Sequence, residues 1–116
     1  MKKVLIVEDD RLQVFVQKKF LQKSGYEVAS VNKSRDAIEA AKQTNFDVII
    51  MDVRILGEFD GINTMKEIRK FSKAAVIYTT GNAELIVRER AKATHPIGFL
   101  VKPINLEELE QLIQSA

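Results

Sequence analysis

No cysteine occurs anywhere in the chain, which excludes disulfides, thiolate metal centres and cysteine nucleophiles and is compatible with a reducing compartment. No apolar run is long enough to cross a membrane or serve as a signal peptide: Val4-Leu5-Ile6-Val7 is cut off by Glu8, Asp9 and Asp10. These absences point to a cytoplasmic protein without membrane insertion. The single histidine, His95, lies between Thr94 and Pro96 with no convergent partner nearby in sequence, so a histidine metal or catalytic site is not expected. The net charge of +2, with acids and bases interspersed, gives too weak a field for direct nucleic-acid binding. Lys66, Arg69, Lys70 and Lys73 are accordingly read as a solvated helix face. No segment is rich in proline, glycine or serine, and no linker divides the chain.

What is present is a repeated alternation. At 116 residues, 46% of them hydrophobic, the chain suits one core and one domain, 1–116. Val4–Val7 is a short continuous apolar run of the kind expected for a strand covered on both faces, Phe46–Met51 is the most apolar and is expected at the sheet centre, and Glu27–Val31, Ala75–Thr79 and Gly98–Val101 are read as further strands. Each is followed by an amphipathic stretch. Arg11–Ser24 places Leu12, Phe15, Val16 and Phe20 on one helical face, with Gly25 positioned to end the helix. Ser34 is the expected N-cap of a second helix with Ala37, Ile38, Ala40 and Ala41 inward. Asp60 or Gly61 opens a third, with Ile62, Met65 and Ile68 inward. Asn82 or Ala83 begins a fourth, reaching about Thr94, and Asn105 with Glu108 caps a fifth carrying Leu106, Leu109, Leu112 and Ile113. Five strand-helix units joined by right-handed crossovers predict an α/β fold: a doubly wound, five-stranded parallel sheet of flavodoxin-like type, (βα)5, with helices on both faces.

In such a sheet ligands bind beyond the carboxyl ends of the strands. Here the first strand ends in Glu8-Asp9-Asp10, the third in Asp52, the fourth in Thr79-Thr80-Gly81 and the fifth in Lys102-Pro103. Asp10 is assigned to capping the first helix. Carboxylates gathered at one rim repel unless a cation sits among them, and a hard divalent ion such as Mg2+ suits an all-oxygen donor set completed by water and phosphate oxygens. Lys102 would offer a compact positive charge to a phosphoryl oxygen, Thr80 a hydroxyl donor, and a carboxylate beside the metal a nucleophile towards phosphorus. Taken singly, Asp52 reads as a strand-end residue and Lys102 as a surface lysine. Together with Asp9 they read as a site.

Over nearly its whole length the chain resembles the receiver domains of two-component response regulators. The resemblance is carried by Val4-Leu5-Ile6-Val7-Glu8-Asp9-Asp10, by Asp47-Val48-Ile49-Ile50-Met51-Asp52 followed by Asp60-Gly61, and by Phe99-Leu100-Val101-Lys102-Pro103. It implies a phosphorelay module in which Asp52 is the phosphoacceptor and Mg2+ is held by Asp9, Asp52, the backbone carbonyl of Arg54 and, mainly through water, Glu8. It further implies Thr80 as switch hydroxyl, Phe99 as switch aromatic, Lys102 as the lysine of the phosphoryl site and a cis Lys102-Pro103 bond. The resemblance implies Thr80 over Thr79 because Thr80 gives the family's usual interval to Lys102, and a one-residue slip would hand the role to Thr79. The implied partners are a histidine kinase or phosphotransfer protein and a downstream protein target, reached through the face of the fourth helix, fifth strand and fifth helix. A phosphorylation-dependent homodimer is left open, and no output domain is expected within the chain.

Three departures stand out: Glu8 where Asp is commoner, a loop Ile55-Leu56-Gly57-Glu58-Phe59 one residue longer than usual and without proline, and Gly81 in place of a small side chain. Phe59 and Leu56 are read either as packing residues or as a kinase contact. Two other classes compete. An aspartyl-phosphate hydrolase would need a second acid two residues after the nucleophile, where Arg54 stands. A flavodoxin-like binding module would not need the full set of strand-end groups. The expected protein is therefore a switch that assists its own phosphorylation and dephosphorylation, not a turnover enzyme.

Overall fold

A computed structural model describes residues 2–55, 57, 59–81 and 85–116. The elements alternate as β1 (Lys3–Val7), α1 (Arg11–Lys23), β2 (Glu27–Val31), α2 (Ser34–Gln43), β3 (Val48–Asp52), α3 (Gly61–Ile68), β4 (Ala75–Thr80), α4 (Leu85–Ala91), a 3-10 turn (Lys92–Thr94), β5 (Gly98–Val101) and α5 (Leu106–Gln114). All strand pairings are parallel and the order is β2-β1-β3-β4-β5. This is the doubly wound sheet expected from the alternation. Side chains alternate across a strand, so each central strand feeds two cores. Leu5, Val7, Ile49, Met51, Val76 and Tyr78 pack with residues of α2, α3 and α4 on one face. Val4, Ile6, Val48, Ile50, Ile77 and Leu100 pack with Leu21 of α1 and Leu109 and Ile113 of α5 on the other. Because helices cover both faces, every residue of β3 is buried and its sequence reads as an unbroken apolar run.

Local chemistry sets the helix ends. Asp10 caps α1 through hydrogen bonds from the backbone N–H groups of Leu12 and Gln13, and Asn105 caps α5 by accepting from Glu108 N–H. Gly25, at φ +96°, ends α1: its N–H donates to Gln22 O and that of Tyr26 to Leu21 O, the paired bonds of a Schellman motif. The first residues of the fourth helix as expected from sequence, Asn82 and Ala83, lie outside the described residues, as does Leu56.

Three expectations are overturned. The inward stripe of α1 is Val14, Gln17, Phe20 and Leu21, while Leu12, Phe15 and Val16 are 69%, 58% and 42% exposed. Two apolar stripes compete on this helix, and the docking of Leu21 against Ile6, Ile50 and α5 selects the one that carries Gln17 inside. Ser34 is the first helical residue and not the cap. Its hydroxyl is buried and accepts from Phe59 N–H at 3.5 Å, so it serves the loop after β3 instead of its own helix. Arg69, expected on a solvated face, is half-buried and donates to the carbonyls of Thr94 and Ala74, joining α3 to the 3-10 turn and the start of β4.

Candidate functional site

The strand order reverses between β1 and β3, so their carboxyl ends lie side by side with helices leaving to opposite faces. The register carries the residues to one rim. Val7 pairs with Met51, so Glu8 stands level with Asp52, and Asp52 pairs with Thr79 of β4. Thr80 pairs with Val101, and the ladder continues with Lys102 N–H donating to Thr80 O at 2.7 Å. Ile6, Ile50 and Leu100 share one face of the sheet. Glu8, Asp52 and Lys102 follow them by two residues and so leave the strands on that face.

The side chains converge. Lys102 Nζ lies 2.8 Å from Glu8 Oε1 and 3.0 Å from Asp52 Oδ2. Asp52 Oδ1 accepts from Arg54 N–H at 3.0 Å, and Glu8 Oε2 accepts from Asp10 N–H at 3.1 Å. One carboxylate oxygen from each of Glu8, Asp9 and Asp52 lies within 4.8 Å of the others. Glu8 and Asp52 are buried, whereas Asp9 is exposed at the mouth. Gly61 closes the back of the site: its N–H donates to Val53 O at 2.7 Å, and a Cβ there would run into the Asp52 carbonyl.

Burial pushes the Glu8 carboxyl up from 4.5 to about 7, with neighbouring Asp52 adding to the rise against the opposing effect of Lys102 and Asp10 N–H. For Lys102, burial favours the neutral amine, but its bonds to Glu8 and Asp52 outweigh this and raise its pKa. Two buried acids and one ammonium leave excess negative charge at the rim. With oxygen as the only donor type, the set suits a hard divalent cation in place of a proton on Glu8.

Thr79 and Thr80 are both buried. By strand alternation Thr80 shares the face of Tyr78, and the Tyr78 ring lies against that of Phe99, tilted by 41° with centroids 5.7 Å apart. Phe99 is partly exposed, and the Arg88 guanidinium lies 5.3 Å from its ring centre. The Lys102-Pro103 bond is cis. Thus Glu8, Asp9, Asp52 and Lys102 meet, Arg54 contributes its backbone beside them, and Thr80 and Phe99 occupy the adjoining strand ends. His95 is exposed, in the left-handed conformation at the end of the 3-10 turn.

Two features escape a sequence reading. The first is that Lys102 holds both buried acids at once. The second is a cleft of about 550 Å³ running from Glu8 and Asp9 along α1, lined also by Arg11, Phe15, Lys18 and Asp36. Its signal lay in α1, which carries Arg11, Lys18, Lys19 and Lys23 and no acid.

The response regulator receiver domain family matches residues 4–114. The transcriptional regulatory protein ZraR of Escherichia coli K12 is 32% identical over 114 residues, covering 97% of this chain and 26% of that protein. The chain thus spans about a quarter of the length of that relative. Among solved structures, chemotaxis protein CheY4 of Vibrio cholerae is 32% identical at a TM-score of 0.88, covering 99% of this chain and 98% of that one. The receiver domain of a Pseudomonas aeruginosa sensor histidine kinase, solved with a magnesium ion coordinated in its active-site cleft, is 29% identical at a TM-score of 0.86, covering 98% and 95%.

Proposed function

Since the chain belongs to the response regulator receiver domain family and is thereby a two-component signalling domain, we propose that Asp52 is its phosphoacceptor and that residues 1–116 act as one switch module. The observation that carries this reading is the pairing of a buried Asp52 with Lys102 at 3.0 Å inside a three-carboxylate rim. Asp9, Asp52 and the Arg54 carbonyl would hold Mg2+, with Glu8 acting through water. The ion would supply charge neutralisation at the transferring phosphoryl oxygens. An Asp52 oxygen attacks phosphorus as the phosphorus–nitrogen bond of a donor phosphohistidine breaks. Lys102 then exchanges a carboxylate partner for a phosphoryl oxygen. Thr80 donates its hydroxyl to the same group, and Phe99, on the face that Thr80 follows, reports the change to α4, β5 and α5.

The donor is a histidine kinase or phosphotransfer protein, and the uncovered apolar and basic face of α1, continuous with the cleft at the rim, favours a donor helix with acidic flanks. The downstream partner is a protein that reads the α4-β5-α5 face. Among the described residues no helix is long and apolar enough to cross a membrane, and the cytoplasm is the proposed location. Receivers are signalling domains, and an exposed Arg54 where a hydrolase needs a general acid favours a single transfer over turnover. Intact mass spectrometry after incubation with a small-molecule phosphodonor and Mg2+ tests the reading. One phosphate per chain is expected, absent from Asp52→Ala; an equal adduct in that variant defeats it.

A further inference from the structure

Helix α4 is held in two ways. At its C-terminal end the fixings are buried: Tyr78 Oη and Thr94 Oγ1 lie 2.6 Å apart, Thr94 Oγ1 donates to Ala91 O at 2.7 Å, and Arg69 Nε donates to Thr94 O at 2.9 Å. Tyr78, Ala91 and Thr94 are fully enclosed, so this end is a fixed pivot. Along its flank two partly exposed cations hold it instead. Arg90 Nη2 donates to Asp60 Oδ2 at 2.8 Å, with side chains 40% and 33% exposed. Arg88 lies 5.3 Å from the centre of the Phe99 ring.

Each cation grips a part tied to the phosphoacceptor. Asp60 directly precedes Gly61, which is bonded to Val53 O and pressed against the Asp52 carbonyl. Its two carboxylate oxygens divide their work: Oδ1 accepts from Asn63 N–H to cap α3, and Oδ2 serves only Arg90 among the described residues. Phe99 lies against Tyr78, on the sheet face that continues to Thr80. A turn of the Phe99 ring towards that strand end must leave Arg88 behind.

We infer that Arg88 and Arg90 are paired cationic clamps that hold α4 in its resting placement about the Tyr78-Thr94 pivot and so set the threshold of the switch. The inference rests on the reading of Asp52 as phosphoacceptor for its trigger. An exposed ion pair and an exposed cation-aromatic contact each bias an equilibrium by about two- to fivefold, small enough for a phosphoryl group to overcome. Removing a clamp raises the share of the released form and tightens any ligand that selects it by the same factor.

The test uses the whole chain as wild type, Arg88→Gln, Arg90→Gln and Asp60→Asn. Asparagine keeps the helix cap but offers no second acceptor oxygen to Arg90. Two quantities are measured: amide hydrogen exchange of residues 87–91 without phosphodonor, and affinity for beryllofluoride with Mg2+. Each variant is expected to exchange about two- to fivefold faster and to bind beryllofluoride tighter by a similar factor, effects that loss of a merely structural bond would not combine. Unchanged exchange overturns the clamps alone. Faster exchange with unchanged or weaker binding shows a structural bond and overturns the threshold role. A wild type that takes up no beryllofluoride removes the trigger, and with it the reading of Asp52, whatever the exchange rates do.

Discussion

Glu8 should make Mg2+ binding depend on pH across the neutral range. Its carboxyl is enclosed, and burial next to Asp52 lifts its pKa from 4.5 to about 7. The folded protein therefore holds this proton more tightly than the unfolded chain. The stability it contributes is complete below about pH 4.5 and is lost as pH rises to about 7, with a difference of about 3 kcal/mol at most, from 1.36 kcal/mol per unit. A cation needs the ionised form, so its apparent affinity is level above pH 7 and weakens about tenfold for each unit below. Between pH 8 and pH 6 the affinity should fall about tenfold. Glu8→Gln should flatten that profile, because the amide does not titrate, and should stabilise the metal-free domain at pH 8 by about 1–3 kcal/mol. Isothermal titration calorimetry with Mg2+ at pH 6, 7 and 8 reads the first effect, and urea unfolding followed by circular dichroism reads the second. A flat wild-type profile, or the same slope in Glu8→Gln, refutes the reasoning.

Lys102→Ala should cost about 1–3 kcal/mol in the metal-free domain, because two buried carboxylates lose their shared counter-charge, and added Mg2+ should recover part of it. Urea melts with and without the ion check this, and an unchanged midpoint in both contradicts it. Thr80→Ala should leave the phosphate adduct intact by mass but abolish the shift of the Phe99 ring resonances, whereas Thr79→Ala should keep that shift; the reverse result moves the switch to Thr79. Gln17→Met should raise stability by about 1–2 kcal/mol, since its buried amide has no hydrogen-bond partner among the described residues and the thioether has the same length. A lower melting temperature in that variant counts against the assigned orientation of α1.

The central strands β1, β3 and β4 were readable because burial on both faces leaves an apolar run, and the site was readable because parallel connections bring strand ends to one rim. Glu8, Asp9, Asp52 and Lys102 could therefore be gathered from three separated stretches. Helix faces were harder. On α1, residues 12, 15, 16 and 20 form a better apolar stripe than 14, 17, 20 and 21, and only the packing of Leu21 against β1, β3 and α5 decides between them. Ser34 looked like a cap because serine favours that position, but a loop 25 residues away uses its hydroxyl. The Arg90-Asp60 bond joins residues 30 apart and leaves no pattern in either helix.

The most direct test of the central claim is a heteronuclear NMR titration or a solved structure with Mg2+ and beryllofluoride, a stable stand-in for the phosphoryl group. The account predicts beryllium bonded to an Asp52 oxygen, Lys102 Nζ transferred to a fluorine, and changes spreading through Thr80 and Phe99 to α4. Binding that survives Asp52→Ala, or a bound group with no response along β4 and β5, would contradict it.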